Sequence, residues 1–171
     1  MSKQTVTLGI YEYLKPDNSN IANFGTLYTS LPKVANEADL FVNTFPGVGV
    51  GATIYMFFTH QVEKRIAMGG PHSGNKFRTY DLGLMIVFKS DREQTWDPQQ
   101  AFDTFIDDLT AFIQADRVPG IPGSDIFQWG EGGLFGGPDI DINYLIPRTV
   151  DGGAVIFQAI AHVLVNELLI T

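Results

Sequence analysis

Alternating apolar and polar side chains dominate the middle of the chain. Between residues 53 and 66 every second position belongs to a mostly apolar face, formed by Ile54, Met56, Phe58, His60, Val62, Lys64 and Ile66. A second alternating run covers residues 77–89, with one face formed by Tyr80, Leu82, Leu84, Ile86 and Phe88. A period of two is typical of a half-buried strand. The segment between the runs, AMGGPHSGN, is rich in turn formers, so we predict a long hairpin with a wide tip.

The best helical pattern covers residues 97–116. Asp97 suits the N-cap, Pro98 suits the first helical position, and Gln100 can close a capping box. Asp103, Asp107 and Thr110 lie opposite an apolar stripe. That stripe consists of Phe102, Phe105, Ile106, Leu109, Phe112 and Ile113. We expect this helix to pack on a sheet.

The two ends of the chain complete the pattern. Residues 1–15 fit a helix or a strand, and we favour a helix that ends before Pro16, because the residue before a proline avoids the α region. Residues 16–20 then read as a loop. Residues 140–150 predict a strand, and residues 151–153 predict a turn. The closing run is apolar on both faces, which predicts a central strand. Its first face holds Val155, Phe157, Ala159, Ala161, Val163 and Val165, and its second holds Ile156, Ile160 and Leu164.

These elements predict one domain over residues 1–171. The expected class is α+β, a mainly antiparallel sheet packed against helices. A chain of this length buries roughly 70% of its unfolded surface, which is enough for a core without cross-links. No repeat and no linker divides the sequence.

Composition excludes several function classes. The chain has no cysteine, which removes disulfides, thiolate zinc sites and thiol catalysis. Its net charge of −8 repels a phosphate backbone, so sequence-independent nucleic-acid binding is not expected. No apolar run reaches the roughly 18 residues of a membrane span, and the start lacks a signal-peptide pattern.

Motifs that resemble catalytic or binding sites fail on their context. GVGVGAT at residues 47–53 and GGPHSGNK at residues 69–76 are each followed by a strand pattern, whereas nucleotide loops precede a helix. The three histidines, His60, His72 and His162, are far apart in sequence, and we interpret them as hydrogen-bonded residues rather than metal ligands. The alternating oxygens of PDIDIN indicate a solvated strand face rather than a calcium loop. We therefore expect no catalysis, no metal and no cofactor.

Basic residues flank the predicted hairpin tip and have two interpretations. Lys64, Arg65, Lys76 and Arg78 lie at the strand ends, beside Glu63 and Asp81. They could form cross-strand ion pairs, each contributing a few tenths of a kcal/mol. They could also form a subunit contact in which mixed charges set the register with a neighbour. The candidate interface residues are Lys64, Arg65, Gly69, Gly70, His72, Lys76 and Arg78.

Residues 50–171 resemble a known family of virion proteins. The residues that carry the likeness are the segment HQVEKRIAMGGPHSGNKFRTYDLGLMIVFKSD, an acidic amphipathic helix ending in QADR, and the later IFQWGEGG and DIDINYLIPR. They are similar to tail terminators of long-tailed (siphovirus-type) phages that infect actinobacteria. The first 45 residues carry less of this resemblance.

The resemblance implies an α/β sandwich that assembles as a homo-hexameric ring on the head-proximal end of the tail tube. Such a ring ends polymerisation of the tail tube protein and offers a surface to the head–tail connector protein. DNA passes through the lumen without specific binding. The implied location is the virion, after assembly in the host cytoplasm, with no membrane, cofactor or chemical step involved.

Three alternatives remain at this point. Another connector or stopper protein of the neck has a similar size and fold. A small-ligand binding domain would use the aromatic residues, which make up 12% of the chain. A hydrolase would need a pocket that brings His60, His72 or His162 to a carboxylate.

Overall fold

The computed structural model describes residues 3–33, 50–65, 76–91, 97–115, 127–129, 139–149 and 154–169. These residues contain the helices α1 (Lys3–Leu14), α2 (Pro16–Ser19) and α3 (Pro98–Ala115). They also contain the strands β1 (Phe24–Tyr28), β2 (Gly51–Arg65), β3 (Lys76–Asp91), β4 (Phe127–Trp129), β5 (Ile140–Tyr144), β6 (Arg148–Thr149) and β7 (Ala154–Leu169). The predicted α+β class is confirmed, as are the predicted first helix and the helix after Asp97.

One mixed sheet holds the described strands. Its order is β1, β2, β3, β7, and the far side of β7 pairs in turn with β6, β5 and β4. Strand β1 runs parallel to β2, whereas the other recorded pairs are antiparallel. Strand β7 therefore has neighbours on both sides, which confirms its predicted central position.

The predicted hairpin is confirmed by the pairing of β2 with β3. Their register runs from Gly51 opposite Lys89 to Arg65 opposite Lys76. The tip and the predicted turn at residues 151–153 lie outside the described residues. Residues 47 and 49 of the glycine motif also lie outside the described residues, whereas Gly51 begins β2.

The helices cover one face of the sheet and form the main core with it. The inward face of β3 is fully buried from Tyr80 to Phe88, as its alternation predicted. Helix α3 places Phe102 and Phe105 on Phe88, with ring centroids 5.7 and 5.8 Å apart, and Phe102 stacks on Phe157 at 5.2 Å. Burial of a side chain of this size contributes about 1.5–3 kcal/mol. This aromatic layer fixes α3 against β3 and β7.

The N-cap prediction for α3 is also confirmed. The backbone N–H of Gln100 donates to Asp97 Oδ1 at 3.1 Å, which satisfies one of the N–H groups that a helix start leaves without a partner. Pro98 occupies the first helical position.

The loop predicted at residues 16–20 is wrong, because α2 occupies Pro16–Ser19. A proline is compatible with the first turn of a helix, where its missing N–H would have no intrahelical partner. The turn ends at Asn20, whose φ of 52° is left-handed and whose N–H donates to the Pro16 carbonyl at 3.1 Å. Pro16 therefore ends α1 and starts α2.

The single strand predicted over residues 140–150 is divided into β5 and β6. Tyr144 pairs with Ala159 and Arg148 pairs with Ile156, so three residues intervene on one side and two on the other. The extra residue is a bulge at a segment that contains Pro147, which has no N–H to donate to the sheet.

The predicted faces of β2 are correct only as far as Phe58. Phe58 lies opposite Leu82 and His60 lies opposite Asp81, so Thr59 is an extra residue that reverses the alternation. His60, Val62 and Lys64 therefore lie on the face away from the helices, and their predicted place on the apolar face is wrong. At the other end of β2, Tyr55 is buried with Val87 and Ile156 in a second, smaller cluster on that same outer face.

Candidate functional site

Charged side chains pair across β2 and β3 near the hairpin tip. Glu63 Oε1 lies 2.9 Å from Lys76 Nζ, and Glu63 Oε2 lies 2.6 Å from Arg78 Nη2. The hydrogen bonds from Lys76 and then from Arg78 lower the pKa of Glu63 to about 2. The cross-strand interpretation therefore holds for both basic residues, and a contact with a neighbouring subunit stays a prediction.

The same arginine also reaches a buried carboxylate that the sequence analysis did not single out. Arg78 Nη1 donates to Tyr80 Oη at 3.2 Å and lies 3.7 Å from Glu167 Oε2, while Tyr80 Oη donates to Glu167 Oε2 at 3.1 Å. Burial raises the pKa of Tyr80. Glu167 is 1% exposed, and its Oε1 has no hydrogen-bond partner within the described parts of the chain. The odd-numbered residues of β7 face the helices, so this alternation is the signal that could have placed Glu167 on the inner face.

The predicted interface residues lie in different settings. Lys64 is exposed on the outer face, and Lys76 and Arg78 point toward the inner face with Glu63. Arg65 is the last residue of β2. Gly69, Gly70 and His72 lie outside the described residues.

A second polar cluster centres on Asp81, on the outer face of the sheet. Thr59 Oγ1 donates to Asp81 Oδ2, and His162 Nδ1 lies 3.1 Å from Asp81 Oδ1. Burial alone would raise the pKa of Asp81, but the bonds from Thr59 and His162, together with nearby His60, lower it. Because an ionised carboxylate only accepts, the hydrogen between Asp81 and His162 belongs to the imidazole.

Long-range pairing brings together histidines that are distant in sequence. His60 lies opposite Asp81 in the β2–β3 register, and His162 reaches the same carboxylate from β7. The sequence analysis treated these two histidines as isolated, and the bulge at Thr59 is what moved His60 to this face. His72 is not among the described residues.

A glycine in β3 makes room for an aromatic contact to the cluster. Gly83 lies between Phe57 and His162 in the paired register, and a Cβ atom at Gly83 would overlap the Phe57 ring. With no side chain there, the Phe57 ring reaches His162 edge-on, with centroids 6.3 Å apart.

An open depression of about 470 Å³ lies beside His162. Its polar lining consists of Asp81, Asp139, Asp141, Asn143 and His162. The alternating polar residues of PDIDIN, Asp139, Asp141 and Asn143, are exposed, which confirms the solvated strand face. Across the described ranges no three His, Asp or Glu residues are grouped so that they could hold a metal ion.

The sheet has two strand edges with few partners at its opposite sides. Strand β1 pairs with β2 only from Ala52 to Tyr55, and residues 60–64 of β2 are exposed, with β3 on one side and no described strand on the other. At the opposite side, β5 pairs with β7, and no strand of the described ranges lies beyond it. Unpaired strand edges are templates for pairing with another chain.

Exposed apolar surface accompanies both edges. Tyr144 ends β5 and Leu145 and Ile146 follow it; all three are exposed, and Ile146 is 84% exposed. Beside the β2 edge, a groove of about 530 Å³ is lined by residues of α1, by residues 29–31 and by Met56, Phe57 and Phe58. Adjoining apolar residues that face solvent are typical of interaction sites.

None of the described helices has the length and apolar character needed to cross a membrane. Neither a protein-family model nor a curated protein matches the sequence.

Proposed function

We propose that this chain is a phage tail terminator. It assembles as a homo-hexameric ring on the head-proximal end of the tail tube, stops addition of tail tube protein and forms the surface that joins the head–tail connector protein. It works in the virion after assembly in the host cytoplasm, and it needs no cofactor and catalyses no reaction. The sequence resemblance over residues 50–171 suggests this function.

The structural observation that carries the proposal is the pair of dissimilar edges on one sheet. A cyclic ring uses a head-to-tail contact, so each subunit needs two different surfaces that fit each other. One edge, at β2, carries Lys64 and a groove. The other, at β5, carries Asp139, Asp141 and an exposed apolar segment. These surfaces suit a subunit of a ring better than a monomeric enzyme.

A neck protein of another kind, a connector or stopper, would use the same surfaces. The two functions differ in what their loss does to tails, because a terminator limits tube length and a connector does not. A test with purified components separates them without phage genetics. Tail tube protein from the same phage is polymerised alone and with increasing amounts of this chain, and tube lengths are measured by electron microscopy.

A terminator shortens the length distribution as its concentration rises and appears as added density at one tube end. A connector leaves the length distribution unchanged. A matched control is the Thr104→Asp variant, since Thr104 is exposed on α3 and belongs to neither strand edge. An unchanged length distribution with wild-type chain contradicts the terminator proposal.

One observation favours a second candidate, a hydrolase. The depression collects His162 with three carboxylates, and Asp81 orients the imidazole as the carboxylate does in a histidine–aspartate pair. The weakness of this candidate is the nucleophile, because the neighbouring Thr59 hydroxyl donates to Asp81 and not to the histidine. Hydrolysis of ester or glycoside substrates that disappears in His162→Gln would support the hydrolase, and tube capping that is unchanged in the same variant would support the terminator.

The third candidate, a small-ligand binding domain, has only the open depression and grooves in its favour. A thermal-shift screen with common metabolites tests it, and a reproducible rise in melting temperature would support it.

A further inference from the structure

We propose that the ring is closed by edge-to-edge pairing of strand β2 in one copy with strand β5 in the next. This inference rests on the proposed ring and adds the contact that builds it. The sheets of neighbouring copies then form one continuous sheet, with all helices on the same side.

Strand directions in one copy are compatible with this pairing. Strands β2, β3, β7 and β5 are neighbours in the sheet, and each runs antiparallel to the one before it. Strand β5 therefore runs opposite to β2. When copies are related by rotation about an axis along the strands, β5 of one copy meets β2 of the next as an antiparallel pair. The alternation of the sheet then continues without interruption across the contact.

Side chains on the outer face of the two edges have complementary charge. The bulge at Thr59 places His60, Val62 and Lys64 on the outer face of β2. Asp141 lies opposite His162, so Asp139 and Asp141 occupy the outer face of β5. All of these residues are exposed. An antiparallel pair therefore sets a basic strand face beside an acidic one in a protein whose net charge is −8.

Apolar surface fits the same arrangement. With Lys64 opposite Asp139 and Thr59 as the extra residue of β2, the antiparallel register places Leu145 level with Phe57 and Ile146 level with Met56, beside the groove that adjoins the β2 edge. Ile146 is 84% exposed within one copy and would be covered by the neighbour. The charged pair and the apolar insertion thus favour the same antiparallel alignment.

Both edges also carry features that limit uncontrolled pairing. The bulge in β2 and the proline that follows β5 are devices that interrupt strand addition. They restrict the contact to a few residue pairs, and closure into a ring then depends on the rotation that relates neighbouring copies. The alternative is a protected edge on a monomer, which cross-linking distinguishes from a ring contact.

Cysteine cross-linking tests the contact cleanly because the chain has no cysteine of its own. Lys64→Cys or Val62→Cys on β2 is combined with Asp139→Cys or Asp141→Cys on β5, giving four double variants. Each is added to tail tubes, oxidised mildly and analysed on non-reducing gels. The expected result is a ladder of covalent oligomers up to the closed ring for at least one pair. The matched control, Lys64→Cys with Asp108→Cys on the exposed side of α3, gives no ladder.

A second measurement uses substitution of the exposed apolar residue. Ile146→Asp should abolish ring assembly while the melting temperature stays that of the wild type, because the side chain touches little within one copy. The Thr104→Asp control should assemble normally. Assembly of Ile146→Asp at wild-type levels counts against the inserted position of Ile146.

The outcomes separate the contact from the ring itself. Rings that form on tubes but give no ladder with any of the four pairs overturn the β2–β5 contact and leave the terminator proposal in place. Wild-type chain that neither caps tubes nor forms rings overturns both.

Discussion

Arg78 links an exposed carboxylate to a buried one, and its removal should show that the buried link matters far more. The guanidinium is 17% exposed and lies 2.6 Å from Glu63, which is 34% exposed, and 3.7 Å from Glu167, which is 1% exposed. Arg78→Met keeps the hydrocarbon stem on the sheet and removes the charge and the donors. The variant therefore leaves Glu167 without its cation, whereas Glu63 keeps its pair with Lys76.

The expected cost follows from burial. Removal of one partner of a buried ion pair costs about 3–5 kcal/mol, because the remaining charge is left without compensation. The 3.7 Å separation and the Tyr80 hydrogen bond that Glu167 retains place Arg78→Met near the lower end, about 3 kcal/mol. Glu63→Gln breaks only exposed contacts, which solvent and salt screen, so its effect should be much smaller.

Urea denaturation at neutral pH measures both effects, with each variant at the same protein concentration. Arg78→Met combined with Glu167→Gln should regain most of the lost free energy of unfolding, since a neutral amide costs less to bury than an unpaired carboxylate. Added salt should weaken the effect of Glu63→Gln and leave that of Arg78→Met nearly unchanged. Equal unfolding midpoints for the two single variants would refute this reasoning.

Three further predictions concern the core, acid stability and the outer face. Phe102→Ala should lower the free energy of unfolding by about 3–5 kcal/mol, because it leaves a cavity in the aromatic layer, and thermal or urea unfolding measures it. Since basic neighbours lower the pKa of Glu63 from 4.5 to about 2, its stabilising contribution is complete above about 4.5 and is lost as the pH falls toward 2. Glu63→Gln should therefore flatten the pH dependence of stability in that window, and an unchanged slope would contradict the ion pairs. Gly83→Ala should cost about 1–3 kcal/mol through overlap with Phe57, and a Phe57→Ala background should remove most of that penalty.

Local patterns were sufficient for the elements that have a strong period. The alternation of β3 predicted its buried face residue by residue, and Asp97 with Pro98 predicted the start of α3. These signals depend on neighbours in sequence and on one buried face, so no knowledge of long-range contacts was required. The central position of β7 was predicted from its apolar residues on both faces, and its pairing with β3 on one side and β5 on the other confirms it.

Single inserted residues account for what the sequence did not predict. The bulge at Thr59 reverses the faces of half of β2, and the bulge near Pro147 divides the strand after Ile140. A period of two carries no sign of one extra residue, because either register fits the same polar sequence. The contact of Arg78 with Glu167 and the meeting of His162 with Asp81 depend on pairing between distant strands, which no local pattern contains.

Electron microscopy of lysates from the source phage with this gene interrupted early tests the central claim most directly. The account predicts free tails of uncontrolled length beside filled heads that lack tails. Tails of normal length that fail to join heads would identify another neck protein instead, and intact infectious particles would contradict a structural role in the virion.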